Sequence, residues 1–110
     1  MQIIKFYYLY DSYEITWDEI SSKGWRSIYV SINSLYYQLH IYDIVRLQQD
    51  YESEFQRVGF YHIDPNLILV EEVVVAYIKP TIKALYDCRY FEDIKPILLD
   101  DDILQQLVEF

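Results

Sequence analysis

Carboxylates are the most numerous side chains in this sequence that could do acid–base chemistry, and they recur in close groups. The groups are Asp18-Glu19, Asp50-Glu52-Glu54, Glu71-Glu72, Glu92-Asp93 and Asp100-Asp101-Asp102. General acid–base catalysis needs two carboxyl groups that converge in a cleft and have separated pKa values. Neighbouring residues on a strand point to opposite faces, so Glu71 and Glu72 do not converge. We therefore interpret most of these groups as solvated charges and expect a protein that is not an enzyme.

The histidines and glycines match no known kind of metal or phosphate site. A zinc site usually has three or four His, Cys or carboxylate ligands at recognisable spacing, whereas His40 and His62 lie far apart in the sequence. No Gly or Glu stands at the offsets after Asp100 that an EF-hand requires. Gly24 and Gly59 stand alone and form no phosphate-binding loop. We expect no metal and no cofactor.

The composition indicates one folded domain with an acidic surface. The chain has 110 residues, 53% of them apolar and 25% charged, which excludes intrinsic disorder. We therefore expect a single α+β domain over residues 1–110. Lys and Arg number 9 against 18 Asp and Glu, so the net charge is -9. Direct nucleic-acid binding is not expected, because phosphate contacts need clustered Lys and Arg.

Nothing in the sequence predicts export or insertion into a membrane. The first ten residues lack the pattern of a secretory signal, and no window approaches the roughly 18 consecutive apolar residues of a spanning helix. The lone Cys88 fits a reducing compartment. We expect a cytoplasmic protein without a membrane partner.

The strands are predicted from alternation and composition. Period-two alternation in residues 27–32 and 35–42 predicts an antiparallel hairpin. Residues 2–10 and 67–73 are also rich in strand-forming side chains. Residues 11–25 are predicted to form a loop with one short helical turn.

Two main helices and a short C-terminal helix are predicted from the 3.6-residue period. The first spans 46–58 and ends before Gly59, and its apolar stripe consists of Leu47, Tyr51, Phe55 and Val58. The second lies within residues 74–86, which have a helical pattern. Because Pro80 fits best in the first turn of a helix, we expect the helix itself to begin near Tyr77. The run of aspartates near the end favours a final helix.

These elements predict an α+β fold: a mainly antiparallel sheet with both main helices packed on one face. The sheet face toward the helices would carry Ile28, Val30, Leu35, Tyr37, Leu39 and Ile41. The open face would carry Tyr29, Tyr36, Gln38, His40 and Tyr42.

Thirteen tyrosines and two tryptophans are the unusual feature of the composition. A small domain cannot bury so many rings, and Tyr and Trp are enriched in the hot spots of protein interfaces. Aromatic residues also favour strands, and a negative charge also keeps such a domain in solution, so both alternatives stay open. Acidic charge and exposed rings together would suit a protein that binds a basic protein, whereas composition alone favours the solubility interpretation.

Three segments resemble immunity proteins of bacterial polymorphic-toxin and contact-dependent growth-inhibition systems. They are IYDIVRLQQDYESEF (residues 41–55), GFYHIDPNLILVEEV (59–73) and RYFEDIKPI (89–97). The resemblance implies a cytoplasmic antitoxin that binds one cognate toxin domain, often a nuclease, and blocks its active site or substrate entry. It implies no catalytic residue.

We therefore expect an immunity protein with two candidate surfaces for its toxin. The open sheet face would offer Tyr29, Tyr36, His40 and Tyr42, and the first long helix would offer Asp50, Glu52 and Glu54. One alternative is a homo-oligomer, such as a homodimer, that pairs through the tyrosine-rich sheet face. Another is a phage-type inhibitor whose spaced carboxylates mimic nucleic acid.

Overall fold

A five-stranded sheet forms the centre of the computed structural model, which describes residues 3–10, 17–63 and 66–110, without the side chain of Asp18. The strands are β1 (Lys5–Leu9), β2 (Trp25–Ile32), β3 (Leu35–Tyr42), β4 (Leu67–Leu69) and β5 (Leu107–Glu109), in the order β4-β3-β2-β1-β5. Only β3 and β4 pair in parallel; the other pairs are antiparallel. This α+β architecture confirms the predicted fold class. The loop expected at residues 11–16 lies outside the described residues.

The β2–β3 hairpin confirms the clearest prediction from the sequence. Its register runs from Trp25 opposite Tyr42 to Ile32 opposite Leu35. Asn33 and Ser34 form the turn, with φ of 53° and 65°. Two successive positive φ values are typical of the turn whose twist matches that of a hairpin. The turn therefore fixes which side chains of β2 and β3 share a face.

The described residues contain four α-helices: α1 (Trp17–Lys23), α2 (Ile44–Val58), α3 (Val75–Asp87) and α4 (Asp101–Gln106). The expectation that the second main helix begins near Tyr77 is wrong, since α3 begins at Val75 with Pro80 inside it. Ile78 and Ile82 on either side of the proline are both fully buried, so their packing offsets the hydrogen bond that proline removes.

The core lies between α3 and one face of the sheet. Ile28, Val30, Leu39 and Ile41 are completely buried there together with Ile78 and Ile82 of α3. Leu35 points to the same face, as alternation predicts, but it is 47% exposed and lies outside the core. It follows the hairpin turn at the end of the strand, where the covering layer has ended.

The two long helices lie on opposite faces of the sheet. In α2 no residue is buried, and its first half contacts the other face through Arg46, whose guanidinium lies 5.9 Å from the Trp25 ring. Trp25 is adjacent to Arg26, a buried residue of the core face, and side chains alternate along a strand. The expectation that both main helices pack on one face therefore holds for α3 and fails for α2.

The short strands at the sheet edges differ from the sequence expectation. The strand predicted over residues 67–73 is limited to β4, because Val73 turns into the core instead of continuing the ladder. At the C-terminus, α4 is followed by β5, which pairs with β1 and was not predicted. Phe110 beyond β5 packs its ring 5.9 Å from that of Phe6.

Candidate functional site

The start of α2 is fixed tightly to the start of β2. Asp43 caps the helix by accepting a 2.8 Å hydrogen bond from the Arg46 amide, and its own amide donates to the Gly24 carbonyl. Gly24 has φ +81°, and a Cβ there would lie 2.9 Å from Arg46 Cβ and from both Asp43 carboxyl oxygens. The absence of a side chain at this position therefore lets the two elements approach each other.

Aromatic and cationic side chains stack where α2 crosses the sheet. The Trp25 ring stacks on Tyr42 at a centroid distance of 6.0 Å, and Lys23 Nζ lies 5.0 Å from the same indole. Arg46 reaches this indole from the helix. Cation–π contacts of this kind stabilise a partly exposed surface. They orient α2 so that the helix side bearing Asp50 lies over Tyr42.

An open cleft of about 470 Å³ lies between α2 and the segment that follows it. The chain reverses at Gly59, whose φ of 83° ends the helix, so that residues 60–62 run back beside α2. The cleft is lined by Tyr42, Asp50, Ser53, Glu54, Phe60, Tyr61 and His62. We call it the acidic cleft. Its volume is large enough for a long cationic side chain.

Two carboxylates determine the electrostatics of the acidic cleft. Burial raises the pKa of Tyr61, and the charges of Asp50 and Glu54 raise it further. Burial also raises the pKa of Tyr42, followed by the charge of Asp50, which accepts a hydrogen bond from the Tyr42 hydroxyl. Arg46 opposes both shifts. Both phenols therefore stay protonated and lie within the field of the carboxylates.

Each carboxylate of the acidic cleft already has a cation from its own helix. Asp50 Oδ1 lies 3.0 Å from Arg46 Nε, and Glu54 Oε2 lies 2.7 Å from Arg57 Nη2. The Arg57 side chain is 67% exposed, and solvent screens an exposed ion pair so that it contributes little to stability. A cation from another protein can therefore replace Arg57 at little cost. The arrangement can bind a guanidinium or ammonium group by charge and by the faces of the rings.

We expect the stability of the chain to fall at alkaline pH. The pKa values of Tyr7, Tyr29, Tyr42 and Tyr61 are all raised above 10.0. Above pH 10 the unfolded chain loses phenolic protons that the folded chain keeps, so the free energy of unfolding decreases as the pH rises through this window. Urea unfolding between pH 8 and pH 11 measures this loss.

The Asp50→Asn variant tests the cause of the shift in the acidic cleft. Removing the charge lowers the pKa of Tyr42 and Tyr61, which NMR of ¹³C-labelled tyrosine resolves ring by ring. Glu72→Gln, an exposed residue outside the acidic cleft, serves as the control and leaves both rings unchanged. If Asp50→Asn also leaves both titrations unchanged, the field of Asp50 does not reach the phenols.

The structure brings part of the predicted site together. Tyr42 of the sheet and Asp50 and Glu54 of α2 line the acidic cleft, so the two surfaces that the sequence offered separately meet here. Glu52 is exposed and lies on the opposite side of α2 from Asp50, since neighbours two apart on a helix differ by roughly 200°. Tyr36 and His40 are half-buried on the sheet face of Tyr42.

Tyr29 does not offer the exposed ring that the sequence predicts. Its register partners are Tyr7 on β1 and Gln38 on β3, and it is only 6% exposed. It lies on the open face, as alternation predicts, but β2 has a paired neighbour on each side, so adjacent side chains cover its ring. This expectation is therefore corrected: Tyr29 presents little surface to a partner.

His40 is held on the sheet by a neighbouring strand. Its Nδ1 lies 2.8 Å from the hydroxyl oxygen of Ser27, the residue directly opposite it in the β2–β3 register. Nucleophilic catalysis needs a serine and base supported by an orienting group and oxyanion donors. The observed hydrogen bond orients the imidazole on the sheet face, where it can contribute to a contact surface.

The sequence prediction missed Ser53, Phe60, Tyr61 and His62, which complete the acidic cleft. The signal that could have found them is the glycine after the helix. A left-handed residue at this position commonly reverses the chain, which brings the next residues beside the last turns of the helix. Three consecutive ring-bearing residues follow Gly59, so their contact with α2 could have been predicted.

Comparisons with protein-family models, curated proteins and solved structures give no match for this chain. Within residues 3–10, 17–63 and 66–110, no group of three or more His, Cys, Asp or Glu side chains is placed to hold a metal ion. In the same part of the chain, no helix has the length and apolar character needed to cross a membrane.

Proposed function

We propose that this chain is a cytoplasmic immunity protein that binds a cognate basic toxin domain and neutralises it. The observation that supports this most is the acidic cleft, in which Asp50 and Glu54 lie beside the rings of Tyr42, Phe60 and Tyr61. Carboxylates beside aromatic faces are complementary to lysine and arginine side chains. The proposed action is binding, so it needs no catalytic residue and no cofactor.

A nuclease domain is the class of toxin that fits this surface best. An enzyme that acts on nucleic acid displays Lys and Arg around its active site, because it must bind phosphates. A cationic side chain from this region would enter the acidic cleft, and the body of the immunity protein would then block substrate entry. The net charge of -9 would accelerate the encounter through long-range attraction.

The resemblance of three segments to immunity proteins agrees with this assignment. Two of these segments, residues 41–55 and 59–73, contribute every residue that lines the acidic cleft. The same short region of sequence thus carries both the resemblance and the geometry that supports binding.

Co-expression with a toxin tests the proposed function. The probe is the C-terminal domain of the protein encoded by the neighbouring upstream reading frame, expressed in a bacterial host with and without this chain. We expect this chain to restore growth and to purify with the domain as a complex that weakens as salt is raised. Failure to restore growth contradicts the proposal. Protection against several unrelated nucleases would instead favour a nucleic-acid mimic.

A further inference from the structure

The outer side of α2 carries an exposed apolar surface distinct from the acidic cleft. We call it the α2 stripe; it consists of Ile44, Leu47, Tyr51, Phe55 and Val58. All except Leu47 are between 41% and 53% exposed. The Tyr51 and Phe55 rings stack at 5.5 Å, and the Tyr61 ring contacts Tyr51 edge-on at 6.2 Å, so the surface has a defined shape.

The spacing of the α2 stripe is symmetric about Tyr51. Leu47 and Phe55 lie four residues before and after Tyr51, and Ile44 and Val58 lie seven residues before and after it. When two such helices pack antiparallel around a two-fold axis at Tyr51, each apolar residue meets an apolar residue at the same level. Isologous dimers require this kind of self-complementary surface.

We propose that the chain forms a homodimer in which the α2 stripes of two copies pack antiparallel. Ile44 then lies level with Val58 of the second copy, Leu47 with Phe55, and Tyr51 with its own counterpart. An apolar groove of about 190 Å³ runs beside Ile44, Leu47 and Tyr51, bordered by Tyr61 and Ile63. Phe55 of the second copy is the residue that this packing brings to the groove.

The exposed area matches what such an interface needs. Tyr51 and Phe55 are each about half exposed, and an aromatic side chain presents about 150–250 Å² when fully exposed. With the exposed Ile44, Val58 and the neighbouring Ile63, which is 56% exposed, the apolar surface is on the order of 400 Å². A standard interface buries about 800 Å² per partner, of which about 65% is apolar in homodimers. The α2 stripe and Ile63 therefore supply most of the apolar part of a standard homodimer interface.

The homodimer does not depend on the proposed antitoxin function. Asp50 and Tyr51 are adjacent in α2, so their side chains point roughly 100° apart around the helix axis. The acidic cleft lies on the side of Asp50 and the dimer uses the side of Tyr51; the two surfaces border each other at Tyr61. Loss of dimerisation therefore leaves toxin binding testable, and failure to bind a toxin leaves the dimer testable.

Sedimentation across a series of concentrations tests the homodimer, with Tyr51→Glu as the disrupting variant. We expect the wild-type chain to reach twice its mass of 13.4 kDa, and to do so more readily at high salt, which screens the repulsion between two acidic copies. Tyr51→Glu places two carboxylates at the two-fold axis and weakens the dimer on the order of 100-fold. Gln49→Glu is the matched control: it makes the same change of charge on another side of α2 and is expected to leave the dimer intact.

Several results would overturn this interface. One is a wild-type chain that sediments as a monomer up to about 1 mM, where weak association would still be detected. Another is a dimer that survives Tyr51→Glu, especially one lost instead on Tyr36→Glu, which would place the contact on the sheet face. Circular dichroism of Tyr51→Glu confirms that the variant remains folded.

Disulfide trapping tests the antiparallel register directly. In a Cys88→Ser background, which removes the exposed native thiol, Tyr51→Cys is expected to crosslink two copies under mild oxidation. Gln49→Cys is the matched control and is expected not to crosslink. Equal crosslinking of both variants contradicts a two-fold axis at Tyr51.

Discussion

The double variant Asp50→Asn/Glu54→Gln is expected to bind the toxin domain at least about 100-fold more weakly than the wild-type chain. Charged hydrogen bonds contribute about 1.5–3 kcal/mol each, and the substitution removes two carboxylates from the acidic cleft while keeping the shape of both side chains. The amides are close in shape to the carboxylates, and circular dichroism of the double variant checks that the chain remains folded without the Arg46–Asp50 and Arg57–Glu54 ion pairs. Isothermal titration calorimetry at fixed salt measures the change.

The matched control for this prediction is Glu71→Gln/Glu72→Gln. It removes the same number of charges from exposed positions that do not line the acidic cleft. We expect its affinity to change by no more than a few fold, through weaker long-range attraction. Equal losses in the two double variants would mean that only the net charge matters and that the acidic cleft has no specific role.

Leu39→Ala is expected to lower the free energy of unfolding by about 3–4 kcal/mol. Leu39 is fully buried at the centre of β3, and truncation of a core leucine loses its transfer free energy and leaves a cavity. In a domain of this size such a loss is a large fraction of the total stability. Urea unfolding followed by circular dichroism gives the value.

Leu35→Ala is the control for this prediction, since Leu35 is also a leucine of β3 and its side chain points to the same face of the sheet as that of Leu39. Because Leu35 is 47% exposed, we expect a change of at most about 1 kcal/mol. If both variants lower the free energy of unfolding by similar amounts, the core extends to the hairpin turn. That result would contradict the structure, in which Leu35 lies outside the core.

The sequence predicts local structure well where a period continues over many residues. The hairpin and α2 were found because alternation and a helical stripe each repeat across six or more positions. Strand β5 was missed because three residues are too short for a period to be recognised. The start of α3 was predicted too late because Pro80 was expected only in a first turn. The packing of Ile78 and Ile82 outweighs the cost of a proline inside the helix.

The face of the sheet to which a side chain points can be predicted from alternation, but its burial depends on the neighbouring residues. Tyr29 and Leu35 both face the side that alternation assigns, yet the ring of Tyr29 is covered and Leu35 is exposed. The apolar side of α2 was predicted correctly, but an apolar side shows only that a helix can pack against another apolar surface and does not say which one. In this structure α3 packs against the core face of the sheet, and the α2 stripe remains on the surface.

The candidate site was predicted in part for the same reason. Charge and aromatic content identified Tyr42, Asp50 and Glu54, but not that a strand end and a helix face meet in one cleft. That meeting depends on the close approach of Gly24 to the start of α2 and on the reversal at Gly59. Such tertiary contacts lie outside any window of local sequence.

Mapping a cationic peptide onto the chain by NMR tests the central claim most directly. A short peptide rich in lysine and arginine is titrated into the ¹⁵N-labelled chain. We predict saturable shifts concentrated at the amides of Ser53, Tyr61 and His62, and their loss in Asp50→Asn/Glu54→Gln. Shifts spread over all exposed carboxylates, and unchanged in that variant, would contradict a dedicated binding site for a basic partner.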